Sequence, residues 1–216
     1  MTAPTISLPR AKAFFRDCTA LHDESRVNTY TRALQEGGVI PVGAGSRPPD
    51  LRPSHVAAIM VALAAAKRAA DAAEKVRFLF RPKACAGGAL TMFDGSKPDP
   101  ERIAHIRDEI GNFAEFIEPR SMRGTFPEAF DALVDVEISS GKLSAFRRKD
   151  GGLFVHVIEP DARIKITFGD LQRTAVIEFQ NVVRSVGETD PYGFEERITR
   201  YTLWQLIKLA EFFRNA

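Results

Sequence analysis

The chain has 216 residues and a nearly cancelled charge, with 30 lysines and arginines against 28 aspartates and glutamates. Hydrophobic residues make up 44% and charged residues 27%, an ordinary globular composition that excludes a wholly disordered chain, a collagen-like chain and a bare coiled coil. The longest apolar run, residues 56–66, is too short to cross a bilayer, and the N-terminus lacks the pattern of a secretory signal. We therefore expect a cytoplasmic protein with no membrane contact.

The charges are unevenly distributed along the chain. Residues 1–83 carry 13 basic and 7 acidic side chains, whereas residues 84–216 carry 17 basic and 21 acidic side chains. A basic first third favours an acidic partner such as nucleic acid, although an ordinary solvated surface would show the same balance. The position of these charges on the fold has to decide between the two interpretations.

Three helices are predicted in the first third of the chain, over residues 9–21, 25–36 and 53–75. Either Asp23 or Ser25 supplies the oxygen that caps the second helix, since the first backbone N–H groups of a helix lack partners. The glycines at 37 and 38 end this helix, because glycine readily adopts the left-handed conformation of a helix C-cap. A loop rich in glycine and proline, residues 42–50, leads to the third helix.

The rest of the chain changes from helical to alternating periodicity. Strands are predicted over residues 76–80, 143–146, 153–158, 162–168, 174–183 and 195–201, and helices over residues 99–117, 125–134 and 202–213. An Asp-Gly turn favours a hairpin between the second and third of these strands. The fold class is therefore α+β, with an antiparallel sheet and flanking helices in the second part. We place the domain boundary between residues 73 and 81, which divides the chain into domains 1–75 and 76–216.

The second helix has one polar face. At about 100° per residue, Val27, Tyr30 and Leu34 gather on one side, and short polar and guanidinium side chains gather on the other. Such side chains reach phosphates and base edges in a major groove, and the arginines of the following loop suit a wing that contacts the DNA backbone. The candidate DNA-binding residues are Ser25, Arg26, Asn28, Thr29 and Arg32 on the helix, and Arg47 and Arg52 in the loop.

Residues 8–66 resemble a known family of DNA-binding domains. The motif reads Tyr30-x-x-x-Leu34-x-x-Gly37-Gly38-Val39-Ile40-Pro41, then a loop and Asp50-Leu51-x-Pro53-x-x-Val56-x-x-Ile59. It is similar to the winged helix-turn-helix of MerR-type and bacteriophage-type transcriptional regulators. In that family a recognition helix ends in a Gly-Leu-Leu-Pro-like step, a wing follows, and another helix packs behind. The resemblance implies an N-terminal winged helix-turn-helix. No effector-binding cysteines follow the long helix, so metal or drug sensing is not implied.

The last predicted helix is apolar on two faces. Leu203, Leu206, Ile207, Ala210 and Phe213 form one stripe, and two further aromatic side chains lie off it. A helix with two apolar faces packs on two surfaces, of which one is its own sheet and the other is a partner subunit or the chain's own 81–98 loop. The candidate oligomer-interface residues are Trp204, Ile207 and Phe212, and the alanine-rich helix 53–75 is a second candidate surface for a homodimer.

Residues that carry catalytic chemistry are sparse. The two cysteines, Cys18 and Cys85, and the four scattered histidines fit no metal-ligand spacing, so we expect reduced thiols, no metal and no cofactor. The glycine-rich segment 43–47 lacks the Gly-Lys-Ser/Thr ending of a phosphate-binding loop. The adjacent acids 108–109 and 195–196 point to different sides of an element and do not form an acid/base pair.

These patterns predict a sequence-specific DNA-binding transcriptional regulator of phage or mobile-element type, which acts by occupying an operator in double-stranded DNA and is not an enzyme. One alternative is a non-enzymatic protein-interaction or structural module of a mobile element. Another is an enzyme that uses the 81–98 loop.

Overall fold

The computed structural model describes residues 4–19, 23–82, 90–92, 124–148, 151–159, 163–169, 173–180 and 197–216. Over these residues the element order is β1 Ile6–Ser7, α1 Leu8–Cys18, α2 Glu24–Glu36, β2 Asp50–Leu51, α3 Pro53–Ala65, α4 Ala72–Phe80, β3 Leu90–Met92, α5 Phe126–Ser140, α6 Lys142–Arg148, β4 Gly152–Glu159, β5 Arg163–Gly169, β6 Arg173–Gln180, β7 Arg197–Thr202 and α7 Leu203–Arg214. None of these helices has the length and apolar character needed to cross a bilayer.

The larger of two sheets has five strands in the order β3-β6-β5-β4-β7, and every neighbouring pair is antiparallel. The sequence patterns predicted four of these strands, β4, β5, β6 and β7, to within a few residues. A second, short sheet pairs β1 with β2. The α+β class and the antiparallel sheet are therefore confirmed.

Helix α3 forms the centre of the core. Eleven of its thirteen residues are buried, and it packs against α2, α4, α5 and β4. The Tyr201 hydroxyl of β7 donates a hydrogen bond to the Met60 carbonyl of α3 at 2.8 Å, and complete burial raises the pKa of this phenol far above its ordinary value. Because α3 is buried on all sides by its own chain, the prediction that its small residues form a dimer surface is wrong.

The long helix predicted over residues 53–75 is broken in the structure. Helix α3 ends at Ala65, Ala66 is extended with a ψ of 127°, and a 3₁₀ turn at Ala69–Asp71 leads into α4. The predicted strand over residues 76–80 is wrong, because these residues belong to α4. Helix α4 buries Ala72, Val76 and Leu79, which recur at helical spacing.

A second correction concerns the predicted hairpin strand over residues 143–146. Helix α5 continues to Ser140 and ends at Gly141, whose φ of 65° provides the left-handed cap, and α6 follows directly. The hairpin partner of β4 is therefore the following strand, β5, and β7 pairs with the other edge of β4. The predicted helix over residues 99–117, Cys85, both adjacent acid pairs and most of the 81–98 loop lie outside the described residues.

The buried side chains form one cluster that spans both predicted domains. It includes residues of α1, α2 and α3 together with residues of α5, β4 and α7. The predicted boundary between residues 73 and 81 falls within α4, which is a continuous helix. Any division of the described chain into residues 1–75 and 76–216 would therefore separate side chains that share this core.

Gly37 marks a close approach between the end of α2 and α4. A Cβ atom at residue 37 would collide with the Cβ atom of Ala73, and Arg77 donates a hydrogen bond to the Gly37 carbonyl. We expect Gly37→Ala to lower the free energy of unfolding by about 1–3 kcal/mol, because overpacking forces the two helices apart. Urea denaturation of Gly37→Ala, Ala73→Gly and the double variant measures the coupling. The double variant should be more stable than the summed single losses imply, and strictly additive losses would contradict this contact.

Candidate nucleic-acid interface

Helix α2 is fixed at its start by a side-chain cap and along its inner face by the core. The carboxylate of Asp23 accepts a hydrogen bond from the backbone N–H of Arg26 at 2.6 Å, which confirms Asp23 as the N-cap. Val27, Tyr30 and Leu34 are buried, as their helical spacing predicts. The orientation of α2 leaves its opposite side toward solvent.

The outer face of α2 consists of Ser25, Asn28, Thr29 and Arg32, and all four side chains are exposed. The Thr29 hydroxyl donates to the Ser25 carbonyl at 2.9 Å. Arg32 Nε lies 2.8 Å from Glu36 Oε1, and these two side chains are 81% and 64% exposed. An ion pair at that exposure contributes well under about 1 kcal/mol, so Arg32 is readily released to another acceptor.

Arg26 does not belong to the outer face, which corrects its assignment as a DNA contact. Its guanidinium donates to the Leu63 carbonyl at 3.0 Å and lies 5.4 Å from the centre of the Tyr30 ring. The Tyr30 hydroxyl in turn donates to the Ala66 carbonyl at 2.9 Å. Both accepting carbonyls lie at the C-terminal end of α3, where a helix has carbonyls without intrahelical partners. Arg26 therefore joins α2 to α3.

The loop between α2 and α3 is held in place at both ends. The side-chain amide of Gln35 donates to the Pro41 carbonyl at 3.1 Å, and the backbone N–H of Leu8 donates to the Pro49 carbonyl at 3.0 Å. Within the loop, Ala44 and Arg47 form an isolated antiparallel bridge around Gly45, which has a φ of 60°. The loop is therefore a tight turn anchored to the last turn of α2 and to the first residue of α1.

The two loop arginines differ in their surroundings. The Arg47 side chain is 80% exposed, and its guanidinium lies 3.3 Å from an Asp50 carboxylate oxygen. Arg52 is exposed at the start of α3, and its backbone N–H donates to His55 Nδ1 at 3.1 Å. Burial, followed by the charge of Arg52, holds the pKa of His55 below its ordinary value. Both arginines can therefore reach an external anion from fixed backbone.

Asp131 of α5 caps α3 from across the core. Its carboxylate accepts from the backbone N–H of Ser54 at 2.6 Å. Burial raises the pKa of Asp131, while the hydrogen bonds from Ser54 and the charge of Arg52 oppose this shift. Arg52 therefore lies in the field of Asp131, as Arg47 lies beside Asp50, and in both places an acid of the chain competes with a phosphate for the arginine.

The three candidate interface residues of α7 differ in how far their side chains are exposed. Ile207 is only 6% exposed, and the Phe212 ring packs edge-on against Phe14 with their centres 6.0 Å apart. Burial in the chain's own core contradicts the assignment of Ile207 to an oligomer interface, whereas Phe212 is only partly buried and its assignment stays a prediction. Trp204 is 37% exposed and keeps part of its ring toward solvent.

Comparison of the chain with protein-family models, with curated proteins and with solved structures gives no significant match. Of the seven DNA-binding candidates, the structure brings four together on the outer face of α2 and places Arg47 and Arg52 beyond its C-terminal end. The packing role of Arg26 has no signal in the local sequence, because its partner, the Leu63 carbonyl, lies 37 residues away.

Proposed function

We propose that this protein is a cytoplasmic regulator of phage or mobile-element type that binds double-stranded DNA through the outer face of α2 and acts by occupying an operator. The observation that carries this proposal is the exposure of Ser25, Asn28, Thr29 and Arg32 on one side of a helix whose other side is fixed in the core. A rigid helix with a short polar face is what direct reading of the major groove requires.

The dimensions and chemistry of α2 support this proposal. Its 13 residues span about 20 Å, which suits insertion into the major groove. A guanidinium such as Arg32 pairs with the two acceptors of guanine, and an amide such as Asn28 pairs with adenine. The anchored loop adds Arg47, and the start of α3 adds Arg52, as phosphate contacts that set the register without reading sequence.

The oligomeric state forms a separate part of the proposal. A homodimer would present two copies of α2 to two half-sites and so increase affinity and specificity. Of the three predicted interface residues, Trp204 retains exposed ring surface for such a contact. Light scattering on the free protein and on its complex with DNA measures the stoichiometry.

The test is a fluorescence-anisotropy titration with duplexes selected from a random-sequence library. We expect Arg32→Ala to weaken binding by about tenfold, because one base or phosphate contact is lost. Glu36→Gln should strengthen binding, since it releases Arg32 and removes a negative charge near the phosphates. The logarithm of the binding constant should fall steeply with the logarithm of the salt concentration.

Arg68 and Asp71 provide matched controls. They form an exposed ion pair at 2.9 Å in which the Arg68 side chain is 79% exposed, close to the value for Arg32. Arg68→Ala and Asp71→Asn therefore change the net charge equally without altering the outer face of α2. Effects of these control variants as large as those at Arg32 and Glu36 would show that the protein binds DNA only by non-specific electrostatic attraction. Absence of duplex binding at low salt would instead favour a protein-interaction module.

A further inference from the structure

The five-stranded sheet has a second face that α3 does not cover. Leu153, Val155 and Val157 of β4 point into the core and are 0–1% exposed. The residues between them alternate to the other side of the sheet, where Phe154 and His156 are half-buried. This second face carries side chains that the proposed duplex contact does not use.

A row of basic side chains crosses the second face. The register places His156 directly opposite Lys165 of β5 on one side and Arg200 of β7 on the other. Lys165 and Arg200 therefore flank β4 on strands about 10 Å apart. On β6 the residue directly opposite Lys165 is Glu178, so the row is acidic on β6 and basic on β5, β4 and β7.

Planar groups cluster on the same part of the sheet. The Arg200 guanidinium lies 5.2 Å from the centre of the Phe154 ring, and the His156 ring meets the Phe154 ring edge-on at 6.0 Å. Arg200 is exposed, and the neighbouring Ile198 is 48% exposed. His156 Nε2 is buried and has no hydrogen-bond partner among the described residues. Basic, aromatic and unpaired polar groups thus occupy one small area.

We propose that this area, the β4 face (Phe154, His156, Lys165 and Arg200), binds single-stranded nucleic acid. The cations attract the phosphates, and the stacked Arg200 and Phe154 offer a π-surface to an unpaired base. A duplex hides the faces of its bases and cannot use that surface. An acidic peptide would use the cations alone. Glu178 of β6 lies beside Lys165 in the register, so the exposed cation that matches a polyanionic partner is Arg200 of β7.

The test uses fluorescein-labelled oligothymidylate and oligouridylate of about 20 nucleotides, titrated with the full chain. We expect Arg200→Ala to weaken binding about tenfold and to reduce the salt slope by about one, because a phosphate contact is lost. Phe154→Leu should weaken binding by a similar factor and leave the salt slope unchanged, since it removes stacking alone. Arg200→Lys keeps the positive charge, so it should retain the salt slope of the unsubstituted protein but not its full affinity.

Arg148 of α6 is the matched control, because it is an exposed arginine outside the sheet. Arg148→Ala should leave oligonucleotide binding unchanged, and a loss equal to that of Arg200→Ala would overturn the proposal. Absence of oligonucleotide binding at low salt, or equal competition by polyglutamate, would also overturn it. Arg32→Ala should weaken duplex binding only and Arg200→Ala oligonucleotide binding only, so failure at one surface is distinguishable from failure at the other. The thymidylate and uridylate arms separate DNA from RNA.

Discussion

Replacing Phe126 with alanine is expected to lower the free energy of unfolding by about 3–5 kcal/mol. Phe126 is 1% exposed, and its ring centre lies within 5.8 Å of the rings of Phe80, Phe130 and Phe179. The ring therefore connects α4, α5 and β6, and its removal leaves a cavity where three elements meet. Urea denaturation followed by far-ultraviolet circular dichroism measures the loss.

The same experiment tests whether the described chain unfolds as one unit. The single tryptophan, Trp204, lies in α7, so its fluorescence reports the end of the chain while circular dichroism reports all helices. One shared core predicts coincident transitions that Phe126→Ala moves together. Phe212→Ala, at a half-buried ring, should cost less than half as much. Two separate transitions would contradict a single cooperative core and would support domains at residues 1–75 and 76–216.

Glu137→Ala is expected to cost about 2–4 kcal/mol, although it removes a charged side chain. Glu137 is 2% exposed, and its carboxylate accepts hydrogen bonds from both the backbone N–H and the hydroxyl of Ser144. Arg214 of α7 donates to the Glu137 carbonyl at 2.6 Å and lies 4.0 Å from the carboxylate. The substitution leaves donors of α6 without a partner at the junction of α5, α6 and α7.

Urea midpoints of three variants check this expectation. Ser144→Ala removes one donor together with its bond to the carboxylate, so it should cost less than Glu137→Ala. Glu211→Ala breaks the partly exposed ion pair with Lys208 and should change stability by less than about 0.5 kcal/mol. If Glu137→Ala costs no more than Glu211→Ala, the carboxylate does not hold the three helices together.

Periodicity predicted those features that depend on neighbouring residues in the sequence. The buried and exposed sides of α2 follow from 3.6 residues per turn, and the Asp23 cap follows from the chemistry of a helix start. The alternation in residues 162–168 predicted β5, because a strand with one buried face repeats every two residues. The outer face of α2, which carries the proposed duplex contact, could therefore be predicted from neighbouring residues alone.

Features decided by distant contacts could not be predicted in this way. The run of residues 76–80 has β-branched and aromatic side chains, yet packing against α3 makes it helical. The role of Arg26 depends on carbonyls at the end of α3, and the burial of Ile207 depends on elements far away in sequence. The β4 face emerges only from the register of three strands, which no local pattern specifies.

The hydrogen bond between Tyr201 and Met60 has a consequence for folding during synthesis of the chain. The two residues are 141 positions apart, so at ordinary translation rates a ribosome needs roughly ten seconds or more to make the second after the first. During that interval the apolar surface of α3 lacks the later elements that cover it. The first third is then the aggregation-prone part of the nascent chain, and the length of its exposure is set by the speed of synthesis.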